Sequence, residues 1–363
     1  MRPIGIYIHV PFCRSKCGYC DFYSLTRENL REAYVDRVIE EIQTYQGRGI
    51  VADTLFIGGG TPSLLTESEV ERLVAACREV FSLQGEITME ANPDSVSPEY
   101  LSGIRRAGIN RISFGAQSGI DRELKALGRR HNGSQIAQAV CWAREAGFEN
   151  LSLDMMLGIP YQTSETLKTT LDFMVGLQPE HLSCYLLKIE EGTPFYQQHA
   201  ENLCGDEDHT ADFYLQTVEM LQKSGYFQYE ISNFAKIGYK SQHNLKYWQC
   251  EEYFGFGAAA HSFFGGKRFY HSASIDNYLS SPDFAVFPDG EGGGIEEQIL
   301  LRLRLNEGLD LAALTDKKQA DRLLTRSLKY RRTGLMRLTG NRLSFTPQGF
   351  LVSNTILAAL LSD

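Results

Sequence analysis

No run of apolar residues in this 363-residue chain approaches the roughly 18 needed to cross a bilayer, so no transmembrane segment is expected. Nor do the first ten residues, Met-Arg-Pro-Ile-Gly-Ile-Tyr-Ile-His-Val, offer the apolar stretch and small-residue cleavage site of a secretory leader. A cytoplasmic location, where thiols stay reduced, is the expectation. Positive charge is not in excess: 36 Lys and Arg face 45 Asp and Glu, a net −9 that argues against nucleic acid as the main partner. No low-complexity tract or internal repeat is present, and 43% hydrophobic content fits an ordinary globular protein of one large domain and a smaller one.

Two local features break this plain background. From Lys317 to Arg342, nine Lys and Arg stand against one acid, Asp321. A basic face of that kind meets nucleic acid, an anionic cofactor or, most often, the acidic bulk of its own chain. The second is the run His9-Val-Pro-Phe-Cys13-Arg-Ser-Lys-Cys17-Gly-Tyr-Cys20-Asp-Phe. Its Cys-x3-Cys-x2-Cys spacing places three thiolates on one short loop. Iron–sulfur clusters usually take four, so three suggest a cluster whose last iron accepts another kind of ligand. Zinc is the competing reading, with His9 as a fourth ligand, but structural zinc sites typically draw on two separated pairs and no second Cys-x2-Cys follows. The other cysteines (77, 141, 184, 204 and 250) are scattered and read as small buried hydrophobes.

Short apolar runs alternate with helical periodicity over the first two thirds of the chain. Strands are expected at Ile6–Val10, Thr54–Ile57, Ile87–Glu90, Arg111–Phe114, Leu151–Met155 and His181–Leu187. Helices are expected at Glu28–Tyr45, Glu67–Phe81, Pro98–Ala107, Ser134–Ala146 and Ser164–Leu177, with Thr66 and Ser97 as N-caps and Gly108 and Gly147 at helix ends. This alternation implies a parallel sheet covered by helices, with chemistry beyond the C-terminal strand ends. Those ends carry Gly58-Gly59-Gly60-Thr61-Pro62, Glu90, Gln117 and Asp154. Glycines admit close backbone approach, and successive amides can receive a ligand. From about residue 225 the alternation stops. The reading divides the chain into 1–225, a connecting segment 226–288, and 289–363, the last beginning in a Gly-rich linker at 289–294. The final unit reads helix-helix-hairpin-helix, with Gly340-Asn341 as the hairpin turn, a winged-helix-like pattern.

The cysteine loop and the Gly-rich turn together resemble the radical S-adenosylmethionine (SAM) family. That resemblance implies a partial (β/α)6 barrel, a [4Fe–4S] cluster on Cys13, Cys17 and Cys20, and SAM chelating the open iron. It also implies an electron donor and a role for Gly59, Gly60 and Thr61 at the methionyl amino group. Nearly the whole chain is similar to the oxygen-independent coproporphyrinogen III oxidase (dehydrogenase) branch of that family. On that likeness Tyr7 packs beside the cluster, and Glu90, Gln117, Arg129 and Asp154 hold SAM.

Two departures separate the chain from the dehydrogenases: Phe22 stands where they have a fourth cysteine, and only twelve residues precede Cys13. Both are expected of the haem chaperones within the branch, as is His243-Asn244-Leu245-Lys246-Tyr247-Trp248, which matches their haem-linked His-Asn-x-x-Tyr-Trp motif. The resemblance therefore implies haem binding through His243, Tyr247 and Trp248 and delivery to recipient haem proteins. Read without the family, the same cluster is a buried aromatic core with a satisfied histidine, and Tyr247, Cys250, His261 and His271 stay open as axial ligands. The alternative function is radical decarboxylation of coproporphyrinogen III; no catalytic residue is assigned.

Overall fold

The structure, a computed structural model, describes residues 2–362. Six parallel strands fall where the apolar runs place them: β1 Ile4–Val10, β2 Ala52–Gly59, β3 Glu86–Ala91, β4 Arg111–Gln117, β5 Leu151–Leu157 and β6 His181–Leu186. Most of their positions are buried, with helices packed outside the sheet. The helices begin where their caps allow. Thr66 and Glu69 form a reciprocal capping box ahead of Glu67–Phe81, and Ser97 accepts from the Tyr100 amide ahead of Pro98–Ala107. Gly108 ends that second helix in the left-handed conformation.

The sheet is larger than six strands. Beyond β6 lie β7 Phe227–Gln228 and β8 Asn233–Ala235, and on the far side of β1 lie β9 Tyr253–Phe256, β10 His261–Phe264, β11 Lys267–His271 and β12 Val286–Glu291. The spatial order is β12-β11-β10-β9-β1-β2-β3-β4-β5-β6-β8-β7, a mixed twelve-stranded sheet that does not close. Strand β9 pairs parallel with β1 while the outermost strands run antiparallel. Thus residues 226–288, read from sequence as a connecting segment, build both flanks of the sheet, and 289–291, read as linker, belong to β12.

The C-terminal unit is helical around a small sheet, β13 Leu309–Asp310, β14 Met336–Thr339 and β15 Arg342–Phe345, ordered β13-β15-β14. The β14–β15 hairpin turns at Gly340 and Asn341. The unit shares one hydrophobic core with the sheet and is hydrogen-bonded to it at Ile231–Arg304 and Asn306–Tyr229. Four of the nine basic residues between Lys317 and Arg342 donate to backbone carbonyls, among them Arg326 to Leu360 O at 3.0 Å and Lys317 to Leu314 O at 3.0 Å. One pairs with a carboxylate, Arg342 with Glu307 at 3.8 Å. No helix among the described residues is long and apolar enough to cross a membrane.

Candidate SAM and cluster site

Within the buried strands a few positions stay half-exposed, among them Phe56, Glu90, Gly115, Asp154, Ser183 and Tyr185. All of them face one interior cavity of about 380 Å³. Cys13, Cys17 and Cys20 line its mouth, as do Gly59, Gly60 and Thr61. The sheet thus brings together most of the residues singled out at its strand ends.

The cysteine loop is held by backbone as much as by side chains. The Cys13 amide donates to Leu25 O and Leu25 N to Pro11 O, at 2.9 and 2.6 Å. Gly60 and Thr61 donate their amides to Val10 O and Phe12 O, at 2.8 and 2.7 Å. A Cβ at Gly60 would lie 2.7 Å from Phe12 O and 3.1 Å from Cys13 Sγ, so only glycine lets β2 cross beneath the loop. Gly59 N donates to Glu90 Oε2 at 3.0 Å. The amides of the Gly-rich turn, expected to receive a ligand, are therefore spent inside the protein. Thr61 Oγ1 lies 3.4 Å from Cys13 Sγ. His9, the residue that could complete a zinc site, bonds Tyr7 Oη through Nδ1 and Tyr23 O through Nε2, both at 2.9 Å, so that route to zinc is closed. Tyr7 itself sits behind the cavity wall, stacked on Phe56.

The electrostatics are those of a buried polar pocket. Burial, reinforced by Asp154, pushes the Glu90 carboxyl up to about 8. Asp154, which accepts from Ser113 Oγ at 3.0 Å, is also raised by burial. Arg129 Nη2 donates to Asn92 Oδ1 and Gly115 O at 2.5 and 2.7 Å, and Nη1 reaches Cys17 Sγ at 3.7 Å. Its Nε has no partner. Gln117 is held at φ +66°, and its Oε1 is likewise buried and unpaired. Arg111 Nε, Asn233 Oδ1 and Ser24 Oγ, also in the lining, bring the orphaned polar atoms to five. Buried polar atoms normally find partners. A cavity lined by five that do not, beside three thiols, fits a polar ligand such as SAM on a thiolate-held cluster.

The floor is made by the segment carrying the second motif. Glu86, the first residue of β3, accepts the amides of Gln242 and His243 at 3.1 and 3.2 Å and so docks the helix Gln242–Trp248 against the N-terminal ends of the strands. Asn244 looks into the cavity. His243 is buried, and its ring is stacked on Phe56 at 5.4 Å. Its Nδ1 bonds Thr54 Oγ1 at 2.9 Å and its Nε2 bonds Tyr247 Oη at 2.7 Å. Burial, with Lys246 nearby, lowers its pKa to about 3. Of the proposed haem group, then, His243 and Tyr247 are bonded to each other, whereas Trp248 is half-buried beside them. Lys246, from the same turn, is buried and pairs with Asp53 at 2.8 Å. Sequence reasoning missed Glu86, Arg111 and Asn244. An acid or arginine at the start of an apolar strand reads as a solvent-facing end, and nothing local says that a distant helix will cover it. The remaining cysteines divide: Cys77 and Cys184 are buried as expected, but Cys141 is exposed on its helix, bonded to Glu145.

Comparison with known proteins agrees with this geometry. The model of the radical SAM superfamily matches residues 7–174, and that of the HemN C-terminal domain matches 294–352. Heme chaperone HemW of Bacillus subtilis (strain 168) is 36% identical over 98% of this chain and 99% of its own length. The protein of that name from Lactococcus lactis subsp. lactis (strain IL1403) is 32% identical over 100% and 98%. The solved structure of coproporphyrinogen III oxidase (HemN) from Escherichia coli superposes with a TM-score of 0.84 at 23% identity, covering 99% of this chain and 90% of that one. The fold is thus shared with HemN, and end-to-end sequence similarity places the chain nearer the chaperones: it belongs to the HemW family of radical SAM proteins.

Proposed function

We propose that the chain is a haem chaperone, one that holds a [4Fe–4S] cluster, SAM and haem and passes haem to recipient haem proteins. The observation that carries this reading is the end-to-end similarity to proteins named heme chaperone HemW. Phe22, 66% exposed where the dehydrogenase branch has its fourth cysteine, supports it. Cys13, Cys17 and Cys20 would hold the cluster. Bound together, cluster and SAM supply one-electron cleavage of the sulfonium, the electron coming from an external donor. The chain's own part is placement. Gln117 Oε1 and Arg129 Nε offer an acceptor and a donor, while Glu90 and Asp154 accept from ribose hydroxyls. Phe56 and Tyr185, in the cavity lining, would help exclude water from a bound ligand. Cytoplasmic action, without nucleic acid as partner, belongs to the same reading.

The second reading is oxidative decarboxylation of coproporphyrinogen III, favoured by the retained SAM-facing residues. It requires cationic anchors for four carboxylates. Among the described residues the cavity lining supplies Lys16, Arg111 and Arg129, the last already committed to Asn92 and Gly115. Anaerobic reconstitution followed by haem titration, with SAM and coproporphyrinogen turnover assayed in the same tube, decides between them. Stoichiometric haem uptake without turnover is expected. Turnover without haem uptake would return the chain to the dehydrogenases.

A further inference from the structure

We infer that SAM and haem oppose each other through the motif helix. Docked, Gln242–Trp248 closes the floor of the SAM cavity and withholds His243 from iron, so each ligand weakens binding of the other. This rests on the chaperone reading above and concerns the regulation of that site. The helix belongs to two places at once. Its Asn244 lines the cavity, as does Phe56. One residue earlier, the ring of His243 stacks on Phe56 at 5.4 Å, and Phe56 in turn stacks on Tyr7 at 6.3 Å. Withdrawing His243 removes the support of a cavity wall and carries Asn244 out of the floor.

In the docked position His243 has no nitrogen to give. It is 1% exposed, with Nδ1 bonded to Thr54 Oγ1 and Nε2 to Tyr247 Oη. An axial ligand needs a free nitrogen and room for the macrocycle that stands across it. Tyr247 has to move first, yet its ring packs edge-on against His243 and against Tyr253 of β9, at 5.1 and 4.6 Å. It moves only with the helical turn that carries it. Haem ligation through His243 and a closed cavity floor therefore exclude each other.

The helix is held in a way that lets it go. Of its residues only His243 and Lys246 are buried. Glu86 accepts the amides of Gln242 and His243, and Tyr229 Oη accepts the Ser241 amide at 3.3 Å. Lys246 donates to Pro3 O at 3.1 Å and pairs with Asp53 at 2.8 Å. A short element held by a few polar contacts opens at lower free energy than the core strands it rests on. The docked helix completes the cavity that holds SAM; the released helix presents His243 to haem. A ligand shifts such an equilibrium by its differential affinity for the two states, and the resulting coupling is reciprocal. For a chaperone the arrangement has a use, because arrival of SAM loosens haem for the recipient.

The test is a pair of titrations on the full-length protein, its cluster reconstituted and kept oxidised so that SAM binds without being cleaved. Haemin is titrated with and without saturating SAM at the Soret band, and SAM with and without haemin by calorimetry. SAM is expected to weaken haemin binding at least fivefold, and haemin to weaken SAM by the same factor, within the ~5–150-fold range of coupled sites. Hydrogen exchange over residues 241–250 should slow with SAM and quicken with haemin. Glu86→Gln, outside the cavity lining, loosens the hold on the two helix amides. It should tighten haemin and weaken SAM, and cooperative thermal melting is its folding control. Equal haemin affinity with and without SAM, in a parent that binds haemin, would overturn the coupling and leave the chaperone reading standing. Mutual weakening with unchanged exchange at 241–250, and with Glu86→Gln binding both ligands as the parent does, would overturn the role of the helix. No saturable haemin uptake by the parent would overturn both readings.

Discussion

Replacing His243 by alanine should unfold the cavity floor before it tells anything about haem. The substitution strips partners from two hydroxyls, Thr54 Oγ1 and Tyr247 Oη. Each buried orphan costs about 1–3 kcal/mol. It also removes a ring stacked on Phe56, leaving a void whose cost adds to the first. A total of about 4 kcal/mol or more is expected, a large part of the ~5–15 kcal/mol that stabilises a folded domain. At ~2–4 °C per kcal/mol, the melting temperature should fall by about 10 °C. The same imidazole makes the parent acid-sensitive. Its pKa is held near 3 in the fold against about 6.5 in the unfolded chain. The unfolded state therefore binds the extra proton. The contribution is complete above pH 6.5 and lost as pH falls toward 3, by at most ~5 kcal/mol. Scanning calorimetry of the parent, His243→Ala and His243→Gln across that range measures both effects. A His243→Ala protein melting within about 2 °C of the parent would refute the reasoning, as would a parent no more acid-sensitive than His243→Gln.

Three further outcomes are expected. Substituting Cys13, Cys17 or Cys20 by alanine should abolish the cluster's charge-transfer absorption after anaerobic reconstitution, whereas Cys77→Ala should leave it intact; a retained cluster in any of the first three would remove that residue from the ligand set. Glu90 holds a proton in the fold up to about pH 8 that the unfolded chain releases near its ordinary value, so its contribution to stability is full below that value and is lost as pH rises through about 8. The parent should accordingly lose stability between pH 5 and 8 more steeply than Glu90→Gln, and SAM binding near neutral pH should release a proton, readable by calorimetry in buffers of different ionisation enthalpy. Gly60→Ala drives a Cβ against two backbone carbonyls and the Cys13 sulfur, and should cost roughly 2 kcal/mol or more and at least halve iron per chain; full iron loading would show that the loop can yield there.

The six parallel strands and their helices were legible because burial of most strand positions leaves apolar runs, and because Thr66, Ser97 and Gly108 mark boundaries with chemistry that acts locally. The flanking strands were not. Strand β9 is four residues long, and its partner β1 lies nearly 250 positions earlier, so no periodicity announces the pairing. Strand β12 is exposed along its whole length and glycine-bearing, which reads as linker. Around the cavity, lining residues set apart by type and spacing were visible in the sequence: the cysteines, Glu90, Asp154 and the Gly-rich turn. Those whose surroundings depend on distant segments were not. Arg111 opens a strand and looks solvent-bound until the motif helix covers the floor, and His243 looks like a free ligand until Thr54 and Tyr247 are seen to take both its nitrogens.

The place of β1 in the sheet sets an order of events during synthesis. It carries the residues leading into the cysteine loop, yet one of its two neighbours, β9, is encoded at Tyr253–Phe256. Until that stretch leaves the ribosome, one edge of β1 is bare and the loop lacks half its foundation. The long wait between making the first strand and flanking it is the kind of non-local closure that slows folding. Cluster insertion before that moment would meet a loop on an unfinished strand. A nascent chain stalled short of residue 253 therefore exposes three thiols beside an unpaired strand, and protection of that edge, by a chaperone or by speed, is a requirement built into the topology.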